Sequence, residues 1–186
     1  MEEKVNRSCC FFGHRAIDES EELKIEISRI VSDLIENKGV NTFFFGSKSR
    51  FNSLCYEIVS DLKNLFPHIK RIYVRAEYPN INEEYRKYLL KRYEDTYYPE
   101  EIKNSGRASY VKRNQHMINR CSVCTIYYKE NYSPLRRKNA KKTLGENQPK
   151  SGTKIAYDYA VKKDKIIVNV AIKDEKKLEI QKQLRS

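Results

Sequence analysis

The chain has 186 residues, enough for one domain with a substantial core and too few for two ordinary domains plus a linker. Hydrophobic residues at 39% and charged residues at 33% describe a somewhat polar globular chain, with nothing near the roughly 18 consecutive apolar residues of a membrane span. The net charge is +12, and the segment from Lys103 to Lys154 holds +11 of it, with thirteen Lys and Arg against Glu130 and Glu146. A local cationic surface of that kind attracts phosphates, whether on nucleic acid or on a small nucleotide; its lysine-rich part, residues 138–142, also fits a solvated loop. The opening Met-Glu-Glu-Lys-Val carries no apolar signal region, so a cytoplasmic location is expected. Five cysteines, an odd number, fit a reducing compartment in which thiols act as small core residues.

The first element is an apolar run, Cys9, Cys10, Phe11 and Phe12, which reads as a buried strand stopped at Gly13. Asp18 or Ser20 then caps a helix over residues 18–38, with Leu23, Ile27, Ile30, Val31, Leu34 and Ile35 at inward spacing. In α/β sheets the turn after a strand's carboxyl end is where ligands sit, because the next helix presents free N–H groups there. Gly13, His14 and Arg15 stand in that place and offer close backbone approach, an imidazole and a cation to an anion.

The unit repeats. Residues 40–45 form a second strand cut off by Gly46, and residues 51–66 form a second amphipathic helix. Between them Gly46, Ser47, Lys48, Ser49 and Arg50 have the composition of an anion cradle, although the glycine spacing is not that of a Walker loop. Residues 69–74 predict a third strand ending in Arg75-Ala76-Glu77-Tyr78-Pro79, with Tyr78 placed to stack a base. A tyrosine-rich helix over 83–92, a short edge strand over 95–99, a helix over 110–120 and a strand over 121–128 follow. Residues 130–150 are irregular, as in a lid or binding loop, then a helix over 154–163 and a last strand over 165–172. Residues 173–186 read as a charged tail outside a single domain of residues 1–172.

Strands alternating with helices predict an α/β fold, a Rossmann-like three-layer sandwich around a mostly parallel sheet of five to six strands. No Gly-x-Gly-x-x-Gly fingerprint supports ordinary NAD or FAD binding, and no cofactor is expected. Cys121 and Cys124 have half-zinc spacing without a second pair, and as strand residues they would face opposite ways, so no metal is expected. His68 and His116 read as surface residues.

The order Cys-Cys-Phe-Phe-Gly-His-Arg, a strand ending in Gly46 with Phe51-Asn52 opening a helix, Arg113-Asn114-x-x-Met117-Ile118, Gly152-Thr153 and Tyr159-Ala160 resembles the YpsA-like family of the SLOG superfamily. That superfamily is named for the Smf/DprA and Lonely Guy proteins, and the likeness runs from about Ser8 to Val170. It implies a domain that binds nucleotides or NAD-derived ligands such as ADP-ribose. By position, Gly13, His14 and Arg15 match its first-turn motif, Gly46 the first glycine of its second turn, and Arg113 and Asn114 the helix that faces the Gly152-Thr153 turn, while Asn52 and Glu57 fall where the family often has acidic residues. The favoured reading has Arg15, Ser47 and Arg113 holding phosphates, Gly13, Gly46, Gly152 and Thr153 giving backbone N–H groups, and Asn52 or Glu57 meeting a ribose hydroxyl. The second turn is more cationic and less acidic than the family's. The Lonely Guy glutamate falls at Ala156, which cannot act as a general acid or base, so the expectation is a sensor or sequestering domain without catalytic residues. An N-glycosidic hydrolase using His14 or Glu57, and a DprA-like single-strand nucleic-acid binder using the basic segment, are the alternatives. The sequence leaves a homo-oligomer open and implies no membrane partner.

Overall fold

The computed structural model describes residues 7–132 and 151–171. Its strands are β1 (Ser8–Gly13), β2 (Thr42–Phe45), β3 (Lys70–Val74), β4 (Asp95–Tyr97), β5 (Val123–Tyr127) and β6 (Ile166–Asn169). Its helices are α1 (Glu21–Glu36), α2 (Arg50–Leu62), α3 (Glu83–Leu90), α4 (Ser109–Arg120) and α5 (Gly152–Lys162). The six strands form one sheet in the order β4-β3-β2-β1-β5-β6, and every pairing is parallel. The sheet is therefore wholly rather than mostly parallel, and the short fourth strand lies at its edge as expected. Two turns of 3-10 helix, Glu100–Ile102 and Gly106–Ala108, join β4 to α4 and were not legible in the sequence.

Alternation along each strand sends side chains to two cores. Cys9, Phe11, Phe43 and Phe45 pack against α1 and α2 on one face, while Cys10, Phe12 and Phe44 meet α4 and α5 on the other. All six inward positions read for α1 are buried, and Ser20 rather than Asp18 caps it, accepting from the Leu23 amide at 3.2 Å. No helix among the described residues is long and apolar enough to cross a membrane.

Two expectations need correcting. Cys121 and Cys124 do not face opposite ways: a bend at Ser122 precedes β5, and both thiols enter the second core, where Cys124 Sγ lies 3.5 Å from Cys10 Sγ. Burial pushes the Cys10 thiol well above its usual range, so it stays neutral. His116 is not a solvated residue. It shares the inward face of α4 with Arg113 and Met117, being three positions from one and adjacent to the other, and is 9% exposed. Its Nε2 pairs with Tyr97 Oη at 2.9 Å and its Nδ1 with the Glu101 carboxylate.

Candidate functional site

The strand order reverses between β1 and β5, and this switch point is where an open α/β sheet leaves its crevice. Gly13 ends β1 there because nothing larger fits: a Cβ on it would lie 2.4 Å from Cβ of Phe51, in the first turn of α2. His14 follows, 2% exposed. Its Nε2 lies 2.9 Å from the Lys129 amide nitrogen and 3.3 Å from the Lys129 carbonyl oxygen, so the Lys129 backbone holds that edge of the ring. Its Nδ1 has no hydrogen-bond partner among the described residues. Burial lowers the His14 pKa below its ordinary value, so the neutral ring is favoured. The Tyr132 ring lies flat on it, centroids 3.7 Å apart and planes 7° from parallel, and the Ala16 amide donates to Tyr132 Oη at 3.3 Å. Two aromatic rings of the chain itself thus fill the switch point.

Around it the other candidates are dispersed. Arg15 is exposed, and its carbonyl accepts from the Arg50 amide at 3.1 Å. Ser151 caps α5 by accepting from the Lys154 amide at 3.1 Å; Gly152 is exposed and Thr153 is buried behind it.

A shallow recess, open to solvent, lies instead over the carboxyl ends of β2 and β3. Gly46 and Lys48 enter it from the turn after β2, Arg75, Glu77 and Tyr78 from the turn after β3, and Tyr110 and Arg113 from α4. Arg113 is 3% exposed and donates to the carbonyls of Gly46 and, at 3.3 Å, Val74. Its Nε donates to Asn114 Oδ1 at 2.9 Å. No carboxylate among the described residues forms an ion pair with it. Burial brings its pKa down to about 10, which still leaves a cation at neutral pH. Gly46 is glycine because a Cβ there would lie 2.5 Å from Arg113 Nη1 and 2.8 Å from the Val74 carbonyl oxygen.

The recess holds two further cations. Arg75 donates from Nη1 to the carbonyls of Tyr78 at 2.6 Å and Pro79 at 3.2 Å, while its buried Nε–H has no acceptor among the described residues. Lys48 pairs with Glu77 at 3.0 Å. Tyr78, 58% exposed, and Tyr85, 38% exposed, stand at the rim.

The structure therefore gathers Gly46, Tyr78, Arg113 and, behind it, Asn114 at one recess, and Gly13 and His14 at the filled switch point. Ser47 accepts from the Ser49 amide at 3.1 Å and shapes the turn. Asn52 is 4% exposed with its amide donating to the Phe11 carbonyl at 3.1 Å, so it ties α2 to β1. Glu57 stands exposed on α2, 3.6 Å from Arg50 Nη1. Neither reaches the recess. Arg75, Glu77 and Tyr110 complete it and escaped notice as ligand groups; their signal was the run of charge directly after an apolar strand, and a tyrosine three positions before Arg113. The expectations for a loop or lid beyond Tyr132, for the cations at 136–142 and for the tail after residue 173 lie outside the described residues.

No family model matches the chain, and no curated protein matches it either.

Proposed function

We propose that the chain binds a phosphorylated ligand of the nucleotide class in the recess over β2 and β3, and binds it without turnover. The observation that carries this reading is Arg113, a buried guanidinium held by the Gly46 and Val74 carbonyls, which Glu77 acts on across the recess but with which no carboxylate among the described residues forms an ion pair. A buried charge that is not directly paired is costly, and an anion arriving from solvent relieves that cost. Arg75 adds a buried N–H still lacking an acceptor, and Lys48 adds a third cation. Tyr78 and Tyr85 supply the flat apolar faces on which a base stacks. The motif order that resembles the YpsA-like SLOG proteins supports the nucleotide class, with ADP-ribose and other NAD-derived molecules as the first candidates. Binding without chemistry fits Ala156, which stands where the Lonely Guy enzymes carry their carboxylate and is 2% exposed in the core.

Thermal unfolding in the presence of ADP, ADP-ribose, NAD and a short single-stranded DNA tests the reading. A ligand at about one hundred times its dissociation constant stabilises the folded chain by about 2.7 kcal/mol. For a protein of this size that raises the midpoint by about 5 °C or more. The expected result is such a rise with a nucleotide, lost in Arg75→Gln and Arg113→Gln and kept in His14→Gln, with the ligand recovered intact. A rise with DNA alone, lost as salt increases, overturns the proposal, as does a nucleotide shift indifferent to both arginines.

A further inference from the structure

The recess carries one carboxylate among its lining residues, and holding a phosphate gives no use for it. Glu77 lies in the turn after β3 with its side chain 30% exposed. Tyr110 Oη donates to its Oε1 at 2.5 Å, and Lys48 Nζ donates to Oε1 at 3.0 Å and Oε2 at 3.3 Å. Donors from two different parts of the fold thus fix this carboxylate in place. They also hold it below the usual carboxylate range, so at neutral pH it is an anion that only accepts hydrogen bonds. Each carboxylate oxygen accepts about two such bonds, so Oε2 retains room for a further donor. A fixed anion among cations accepts from a ligand's hydroxyl groups and repels a second negative charge placed against it.

We infer that Glu77 is the specificity-determining residue of this recess, and that it reads the vicinal diol of a sugar whose phosphate lies toward Arg113 and Arg75. The inference rests on the recess being a phosphate site. Three cations against one carboxylate leave an excess of two positive charges, which suits a ligand carrying about two negative ones. A bare polyphosphate sets anionic oxygens against Glu77 as well as against the arginines. A nucleotide keeps its phosphates at the cationic end and turns neutral hydroxyl donors to the carboxylate. If Glu77 served only as counter-ion to Lys48, the sugar would not matter.

Isothermal titration of ADP, 2′,3′-dideoxy-ADP and inorganic pyrophosphate into wild type, Glu77→Gln and Tyr110→Phe separates these cases. Wild type should bind ADP about tenfold more tightly than the dideoxy nucleotide, the scale of a hydrogen bond to a charged group. Glu77→Gln should bring that ratio within about threefold and tighten pyrophosphate, because the repulsion is gone. Tyr110→Phe frees the carboxylate without removing its charge, so it should weaken the preference for the diol and leave pyrophosphate as weak as before. Equal affinity of wild type for both nucleotides overturns the inference alone, as does a preference that survives Glu77→Gln. Failure of both nucleotides to bind overturns the phosphate reading of the recess and this inference with it.

Discussion

Arg113 and Gly46 act as one device. The guanidinium reaches the Gly46 and Val74 carbonyls at the ends of two neighbouring strands, and only a residue without a side chain at position 46 leaves that path open. In Gly46→Ala the new methyl meets a guanidinium that can swing away and a backbone carbonyl, 2.8 Å off, that cannot. Urea unfolding should show a loss of about 1–3 kcal/mol, the usual range for overpacking, and ADP binding should fall as Arg113 is displaced. An unchanged midpoint with unchanged binding would mean that the strand ends do not hold the arginine. His14 makes a different prediction, in pH. Its folded pKa is lowered from 6.5 by burial, against a weaker opposing effect of the Lys129 backbone, so below about pH 6.5 the unfolded chain binds more protons than the folded one. Stability is then full above that pH and falls as acid is added down through the folded pKa. Glu77 and Glu101, both held below 4.5 by their hydrogen bonds, titrate in a lower window. Urea midpoints between pH 7.5 and 5.5 should decline in wild type and stay flatter in His14→Gln; identical slopes would place the titrating group elsewhere.

At the scale of elements, the sequence spoke where apolar residues repeat and was silent where polar ones face inward. The six core positions of α1 were legible because each is a large aliphatic at helical spacing, and β1 and β2 because each is an apolar run ended by a glycine. The inward face of α4 was only half legible. Met117 and Ile118 announce themselves, but His116 looks like a surface residue until β4 and the 3-10 turn after it supply Tyr97 and Glu101, and the burial of Arg113 shows only once the strand ends bring the Gly46 and Val74 carbonyls to it. Asn52, expected at a ribose hydroxyl, gives no apolar signal of its burial, and its side-chain amide donates to the Phe11 carbonyl. Two of the three glycines of the expected ligand turns, Gly13 and Gly152, also divide by element. A Cβ on Gly13 collides with the first turn of α2, whereas one on Gly152, at the start of α5, meets nothing within 4 Å. Gly13→Ala should therefore destabilise, as helix and strand are forced apart, while Gly152→Ala should be neutral or add up to about 1 kcal/mol through the helix propensity of alanine. Denaturant midpoints compare them directly, and a large loss in Gly152→Ala would mean that its backbone serves a role that open space does not reveal.

Across the whole molecule the two candidate positions are separated by the sheet's own order. The switch point belongs to β1 and β5, and the recess to β2 and β3 on one side of it. Open α/β sheets usually take their ligand at the switch point. Here His14 and Tyr132 stack in that space, and the excess of positive charge stands one strand over, where Lys48, Arg75 and Arg113 outnumber Glu77. A net charge of +12 draws anions toward either place, so steering does not choose between them. Hydrogen exchange does choose, because a bound ligand slows the amides it covers and the local openings it opposes. With ADP or ADP-ribose present, protection should rise at residues 46–49, 75–78 and 109–113 and stay unchanged at 13–16 and 151–154. Protection confined to the second set would move the ligand to the switch point. It would also require Tyr132 to leave His14, so that the imidazole with its unpartnered Nδ1, rather than the buried guanidinium, became the group that meets the phosphate.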